Sequence, residues 1–424
     1  MSLFRIVFKN LRQRLLSSAL TSLSIALGVA VVVAILTVKE QSRSAFDQTA
    51  FGYDLIVGAK GSGLQLVLNT VYHLEQSPGN IPYRIYQELA ADRRVKMAVP
   101  VAVGDSYRGF RIVGISDRFL TEFEIRPGVR FEFAEGRVFA YSEERLEHVM
   151  TAPPDHDHGH EEMAFEAVIG SAVAARTGMR AGSTFAATHG IESGAGTPTH
   201  QETWTVTGVL KPTGTPNDRA IFINLESFFS IGAHRESARE GRGPEISAVI
   251  VQTRGSLAAR DLKYDLSRRP EAMAVQPAQV VGELFEWFGN VNVLLLAVSI
   301  LVILVAGVSI LVSIYNSMSE RKRPIAILRA LGARRVTILA IILMEATALC
   351  LMGGALGVAG GHGLAEAAGR ILRDQAGLTV TGWAFHPLEG AVIGGLLLLG
   401  ILVGLLPALK AYRTDISEGL NPSS

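Results

Sequence analysis

Four stretches of this chain are apolar for long enough to cross a lipid bilayer, and that constrains its fold more than any other feature. A span needs about 20 mostly apolar residues to cover the hydrocarbon core. Residues 15–38, 291–315, 338–361 and 388–408 meet that length. In lipid the backbone must satisfy its own hydrogen bonds, so each stretch is expected to be a helix. The remaining long segment, 39–290, is too polar to join them. A content of 48% hydrophobic and 19% charged residues fits this mixture of membrane and water-exposed parts. The expected architecture is therefore α-helical in the membrane, one span plus three, with a large inserted α+β domain. Its parts are 1–38 (N-terminal helix and first span), 39–290 (inserted domain with stalk helices) and 291–424 (spans two to four, with a connecting loop at 316–337).

The first span follows Arg5, Lys9, Arg12 and Arg14 and has the look of a signal sequence. Its apolar run is longer than a typical signal core, and Val38, Lys39 and Glu40 give no small-residue cleavage site. It reads as an uncleaved anchor. Basic residues in short loops mark the cytoplasmic side. Six of them (Arg321, Lys322, Arg323, Arg329, Arg334 and Arg335) lie between the second and third spans, against Glu320 alone. Both termini and that loop are thus expected in the cytoplasm, and 39–290 outside it. By difference, 39–290 holds a net charge of about −6, while the whole chain carries +1. No global field points to nucleic acid.

Small residues recur at four-residue spacing in the spans: Ser22, Ala26, Ala30 and Ala34 in the first, and Gly353, Gly357 and Gly361 in the third. Gly390 and Gly394, then Gly400 and Gly404, repeat the pattern in the fourth. Such stripes let helix backbones approach closely, either within one subunit or between two. Charged residues inside the spans are nearly absent, Glu345 being the exception. That dryness argues against a hydrophilic path through the bilayer. The single cysteine, Cys350, excludes an internal disulfide and reads as a packing residue.

The inserted segment has room for one or two cores. Strand patterns fall at 54–57, 97–103, 110–115, 203–210, 220–223 and 246–252, and helical patterns at 83–91, 172–178 and 257–268. Toward its end, Val281, Leu284, Phe285 and Phe288 share one helical face and lead without a break into the second span. A stalk helix is expected there, and a matching one at 38–51.

Three motifs remain. The glycine-rich run from Gly58 to Gly63 lacks the Gly-Lys-Ser/Thr ending that holds phosphates, and reads as an external turn. No ATP-hydrolysing motif occurs in the chain, so it is not expected to be an enzyme. Around 155–162, His156, His158 and His160 alternate with carboxylates, a ligand set suited to Zn²⁺, to which His148, His189 and His200 could add. Residues 320–335 combine Pro324, a suitable first-turn residue, with Ile325, Leu328 and Leu331 at three-residue spacing. Gly332 then supplies a helix stop. A basic amphipathic helix of this kind binds lipid headgroups or docks in a groove of a cytoplasmic partner.

The run ERKRPIAILRALGAR (Glu320 to Arg334) resembles the characteristic loop of MacB/FtsX-type ABC transporter permeases. LPALKAYR (Leu406 to Arg413) and FKNLR (Phe8 to Arg12) resemble that family too, as do Val168 to Ser171 and Val206 to Leu210 within the inserted domain. The resemblance implies a homodimeric permease in a bacterial inner membrane, bound to a separate cytoplasmic ATPase that supplies ATP and Mg²⁺ chemistry. It also implies mechanotransmission, in which the loop helix couples nucleotide state to the spans and the spans move the external domain. Glu320, Arg323, Ile325, Leu328, Arg329, Leu331 and Gly332 would carry the coupling. The substrate would be a lipoprotein, lipid, peptide, drug or metal complex, with room for a periplasmic or substrate-binding partner. The competing reading is a signalling scaffold that regulates an envelope enzyme. The size of the insert favours transport.

Overall fold

The computed structural model describes residues 3–13, 15–49, 52–151, 165–190, 199–231, 244–320, 327, 329, 332–376 and 381–413. In chain order its main helices are α1 (Leu3–Gln13), α2 (Leu15–Thr49), α3 (Gly63–Thr70), α4 (Tyr83–Ala91), α5 (Ser171–Thr177), α6 (Ser256–Ser267), α7 (Pro277–Glu320), α8 (Arg335–Ala376) and α9 (Pro387–Arg413). The strands of the main sheet are β1 (Leu55–Gly58), β2 (Val95–Tyr107), β3 (Phe110–Ile115), β4 (Phe133–Gly136), β5 (Glu166–Ile169), β6 (Thr184–His189), β7 (Thr199–Leu210), β8 (Ala220–Asn224), β9 (Ala248–Thr253) and β10 (Met273–Val275). The chain divides into two compact units, one of residues 1–41, 287–370 and 380–424, the other of 42–286 and 371–379.

The first unit holds the membrane helices. Among the described residues, four helical segments are long and apolar enough to span: Leu15–Ser44, Val293–Asn316, Arg335–Gln375 and Pro387–Leu409. Their shared interior is built from Ile25, Val29, Val33, Ala306, Ile310, Ile342, Leu349 and Cys350. Large residues such as Leu294, Leu301, Val308 and Leu402 stay exposed, as expected for a surface that meets lipid tails rather than water. The helix that follows the second-to-third loop is longer than a span requires. At 42 residues, α8 continues well past Gly361.

The second unit is organised on one ten-stranded sheet in the order β10-β1-β9-β2-β3-β8-β5-β7-β4, with β6 paired to both β7 and β2. This one large sheet, with small two-stranded sheets pairing 81–82 with 245–246 and 124–126 with 129–130, organises the described part of the inserted segment. The sheet is mixed: β3 runs parallel to β8, and β5 parallel to β7. The other pairings are antiparallel. Its central strands are buried on both faces, which is why 110–115, 220–224 and 248–253 read as continuous apolar runs. Alternate residues feed opposite layers. Leu55, Val57, Ile221, Ile223, Val249 and Val251 face a core closed by α4, α5 and α6. Ile56, Phe222, Ala248 and Ile250 face a second core with Leu66 and Val67 of α3 and the aromatics Phe119 and Phe123.

Local chemistry fixes the turns. Arg108 and Gly109 link β2 to β3 with φ of 48° and 80°, the left-handed pair that a two-residue hairpin with the sheet's twist requires. The glycine-rich run after β1 is structural. Ser62 caps α3 by accepting from the Gln65 N–H at 3.2 Å, and a Cβ on Gly58 would lie 2.4 Å from Leu66 Cδ1.

Candidate functional site

The stripes of small residues in the first and third spans meet each other. A Cβ added to Gly353 would lie 2.7 Å from Ile25 Cβ and 2.8 Å from the Ser22 carbonyl oxygen. At Gly357 the corresponding distances are 2.5 Å to Val29 Cβ and 2.8 Å to Ala26 O, and at Gly361 they are 2.6 Å to Val33 Cβ and 2.8 Å to Ala30 O. The contact repeats every four residues on both helices, so glycines of α8 lie directly on carbonyls of α2 along three successive turns. Ser22 adds a hydrogen bond from its Oγ to Leu349 O at 3.5 Å. This packing is within one subunit.

Further glycines continue the scheme. A Cβ on Gly28 would meet Ile303 of α7, and one on Gly307 would meet Leu399 of α9. Gly400 and Gly404 close α9 onto α8 at Thr347, Cys350 and Ala346. Gly390 and Gly394 differ, because nothing lies within 4 Å of a Cβ at either position. The α2–α8 pair is thus the tightest joint of the unit; α7 meets α2 at Gly28 and α9 at Gly307, and α9 meets α8 at Gly400 and Gly404.

At one end of α8 and α9 a polar cluster follows the glycine stripe. His362 is buried, its Nδ1 donating to Gly382 O at 2.7 Å and its Nε2 lying 3.2 Å from Glu389 Oε2. Glu389 Oε1 accepts from His386 N–H at 2.9 Å, and Glu366 accepts from Gly382 N–H at 3.0 Å. Trp383 stacks on the His362 ring with centroids 5.8 Å apart, and Phe385 meets it edge-on at 4.6 Å. Beneath this roof lies a cavity of about 400 Å³ between α8 and α9, walled by Leu351, Val358, Ile393 and Leu396. The cavity is almost wholly apolar and suits an apolar chain better than a hydrated solute.

The sequence did not single out His362 or Glu389, although Glu389 lies within the fourth apolar stretch. The available signal was a histidine one residue beyond the last glycine of the stripe, in a run otherwise free of charge. Glu345, which was singled out, is buried.

Of the expected coupling residues, Arg323, Ile325, Leu328 and Leu331 lie outside the described residues. Glu320 ends α7. Arg329 is half-buried and helical, and Gly332 has φ of 95° with its N–H donating to Arg329 O at 3.0 Å, the left-handed stop expected of it. His156, His158 and His160 also lie outside the described residues. Of the histidines that could join them, His189 and His200 stand together beside Asp105 on the inserted sheet. In the stalk segment Val281 is buried against the second core of that sheet.

Known proteins place these features. Residues 18–267 match the MacB-like periplasmic core domain, and residues 296–416 match the FtsX-like permease C-terminal region. A macrolide export ATP-binding/permease protein MacB of Rhodopirellula baltica is 30% identical over 198 residues, which is 43% of this chain and 27% of that protein. The uncharacterized ABC transporter permease MJ1507 of Methanocaldococcus jannaschii is 28% identical over 220 residues, 51% of this chain and 54% of that protein. The chain thus spans between about a quarter and about half of the length of these relatives. The crystal structure of the periplasmic region of MacB from Actinobacillus actinomycetemcomitans aligns over 55% of this chain and 94% of that one, at 11% identity and a TM-score of 0.34. With four spanning helices, an inserted extracytoplasmic domain and a family match covering more than half its length, the chain belongs to the MacB/FtsX-type family of ABC transporter permeases.

Proposed function

We propose that this chain is the permease subunit of an exporter or extractor whose ATP is hydrolysed by a separate cytoplasmic ATPase. In this reading it works as a homodimer in a bacterial inner membrane, with both termini in the cytoplasm. The loop at 316–337 receives the ATPase's motion through Ile325, Leu328 and Leu331, with Arg323 and Arg329 as polar contacts. The spans pass that motion to the inserted domain, which acts on a substrate outside the membrane.

The observation that carries this reading is helix α7. One uninterrupted helix of 44 residues contains both the amphipathic segment after β10 and the second span. At about 1.5 Å per residue it is about 66 Å long, roughly twice the thickness of a hydrocarbon core. A continuous helix transmits displacement along its axis, whereas a loop at the same place would absorb it. The glycine joint between α2 and α8 supports the same reading, since it couples the first and third spans without intervening side chains. Among the cargo classes, the apolar cavity under His362, Trp383 and Phe385 favours one with an apolar chain, such as a lipid or lipoprotein. Membership of a family with a MacB-like domain favours transport over a signalling scaffold.

The test is Leu328→Asp in the full permease–ATPase complex. The protein should still insert, while stimulated ATPase activity and substrate movement fall together. Unchanged stimulation and transport would remove the docking role from the loop. Mass spectrometry of the complex in nanodiscs should find a copurifying amphiphile, and should lose it when Leu396→Trp fills the cavity.

A further inference from the structure

The inserted sheet carries a group of side chains that transport by mechanical coupling does not use. Asp105 near the end of β2, His189 at the end of β6 and His200 near the start of β7 converge where the three strands meet. The backbone register creates the convergence. Asp105 pairs directly with His189 across the β2–β6 ladder, and Thr199, the neighbour of His200, pairs with Thr188 across β6–β7. His189 Nδ1 lies 3.3 Å and His200 Nε2 lies 3.1 Å from the same carboxylate oxygen of Asp105. The two rings are nearly perpendicular, with centroids 5.7 Å apart. The Asp105 side chain is fully buried, that of His200 is 9% exposed and that of His189 is 53% exposed.

We propose that Asp105, His189 and His200 form a binding site for a borderline divalent transition-metal ion, with Zn²⁺ as the expected occupant. Two imidazole nitrogens and one carboxylate oxygen form a mixed set suited to such an ion and poorly suited to Mg²⁺ or Ca²⁺, which take oxygen ligands. The spacing also fits. With bonds of about 2.0–2.1 Å, neighbouring ligand atoms of a tetrahedral Zn²⁺ site stand about 3.3 Å apart. The two nitrogen-to-oxygen distances here are 3.3 and 3.1 Å, and all three donor atoms lie within 4.8 Å of one another. The three ligands come from three strands, so the ion would clamp the β6–β7 hairpin to β2. The fourth position is left to water or another donor, as in zinc sites with three protein ligands. The three ligands all lie among the described residues, and the site does not depend on the ATPase-coupled reading.

The experiment uses the full chain in nanodiscs, stripped of metal with a chelator, in a background where His156, His158 and His160 are all replaced by Ala. Zn²⁺ is titrated against a chromophoric chelator, and Co²⁺ is added separately to read its visible absorption. The background protein should bind one ion per chain and give Co²⁺ bands typical of four-coordination. His200→Ala and Asp105→Asn should each weaken Zn²⁺ binding by about 100-fold or more, beyond the ~10–100-fold cost of losing a merely orienting neighbour. His189→Ala changes the most exposed of the three residues and guards against misfolding in the other variants. Zn²⁺ should raise the melting temperature of the background protein and leave that of His189→Ala unmoved. Absence of saturable binding in the background protein, or equal affinity in it and in His200→Ala, would overturn the site.

Discussion

The two units of this chain solve the same packing problem with opposite materials. The extracytoplasmic unit fills its interior with bulk: Trp204, Phe119, Phe123, Phe139 and Phe222 are all fully buried. The membrane unit makes its tightest joint by removing side chains, so that Gly353, Gly357 and Gly361 sit on the carbonyls of α2. The difference follows from the solvent. In water, burying a large apolar side chain is itself the driving force, worth about 25 cal/mol per Å². In lipid that gain vanishes, because a leucine is as well solvated by acyl chains as by another helix, and close backbone contact takes its place. Large residues such as Leu294 and Leu402 can therefore face outward, while glycines mark where two helix backbones meet.

The contrast breaks most visibly at Gly357. A leucine there would collide with Val29 Cβ and with a backbone carbonyl, and no rotamer relieves a clash at Cβ. The cost should exceed the ~1–3 kcal/mol of ordinary overpacking, and Gly357→Leu should fail to give a monodisperse protein by size-exclusion chromatography in detergent. Gly394→Leu, with open space at its Cβ, should purify as wild type does. Equal behaviour of the two variants would show that the stripe is not a joint. In the water-exposed unit the damaging change is the reverse one. Trp204→Ala empties a fully buried site and leaves Ser227 Oγ without the indole donor now 3.3 Å away. A loss of about 3–5 kcal/mol is expected, read by chemical denaturation followed through tryptophan-independent circular dichroism.

Protons sharpen the comparison further. His73 sits in the extracytoplasmic unit with its Nε2 donating to Asn217 Oδ1 at 3.1 Å. Burial, reinforced by the nearby positive charge of Arg111 and only partly opposed by the Asn217 bond, pushes its pKa down to about 4. In the unfolded chain the ring titrates near 6.5. Between those values the unfolded state binds a proton that the folded state refuses, so stability falls as the pH drops from about 6.5 toward 4 and is complete above 6.5. The loss should be on the order of 2–3 kcal/mol at the acid end. Thermal melts of wild type and His73→Phe across that window should show a shallower pH slope for the variant.

Much of this architecture was legible in the sequence, because its two signals are strong in isolation. Apolar length located the spans, and runs at 110–115 and 246–252 located strands of the sheet. The α3 helix was hidden because Gly58 to Gly63 advertises a turn while Ser62 quietly caps the helix that follows. The partners of the glycine stripe were undetermined, since spacing says that a face is small and says nothing about which helix will meet it. The same limit hid the His362 cluster and the carboxylate that joins His189 and His200, which the sequence offered only as ligand types. Asp105 is 84 residues from His189 in the chain, and only the register of β2 against β6 brings them together. His362 gains meaning from Glu389 and Gly382 across a helix pair. Pairing across long sequence separations is set by tertiary structure, and a single chain read by period cannot supply it.

The smallest expected effect concerns ion pairs, where burial rather than distance decides. Arg118 and Glu122 lie 2.9 Å apart at i and i+4 on a short helix, with both side chains about half exposed. Arg145 and Glu226 are also 2.9 Å apart, yet the Glu226 side chain is 2% exposed. Burial raises the pKa of Glu226, with Arg145 acting against it, so the carboxylate depends on its partner. Removing the arginine strands a buried acid, and Arg145→Ala should cost about 1–3 kcal/mol. Glu122→Gln removes an interaction that water and salt already screen, and should cost no more than ~0.5 kcal/mol. Raising the salt concentration should shrink the second difference and leave the first nearly unchanged, because screening acts on exposed charges. Denaturation midpoints of the two variants at low and high salt test this directly. If both costs disappear together in high salt, the Glu226 pair is as solvated as the surface one, and the extracytoplasmic interior is wetter than its bulky core implies.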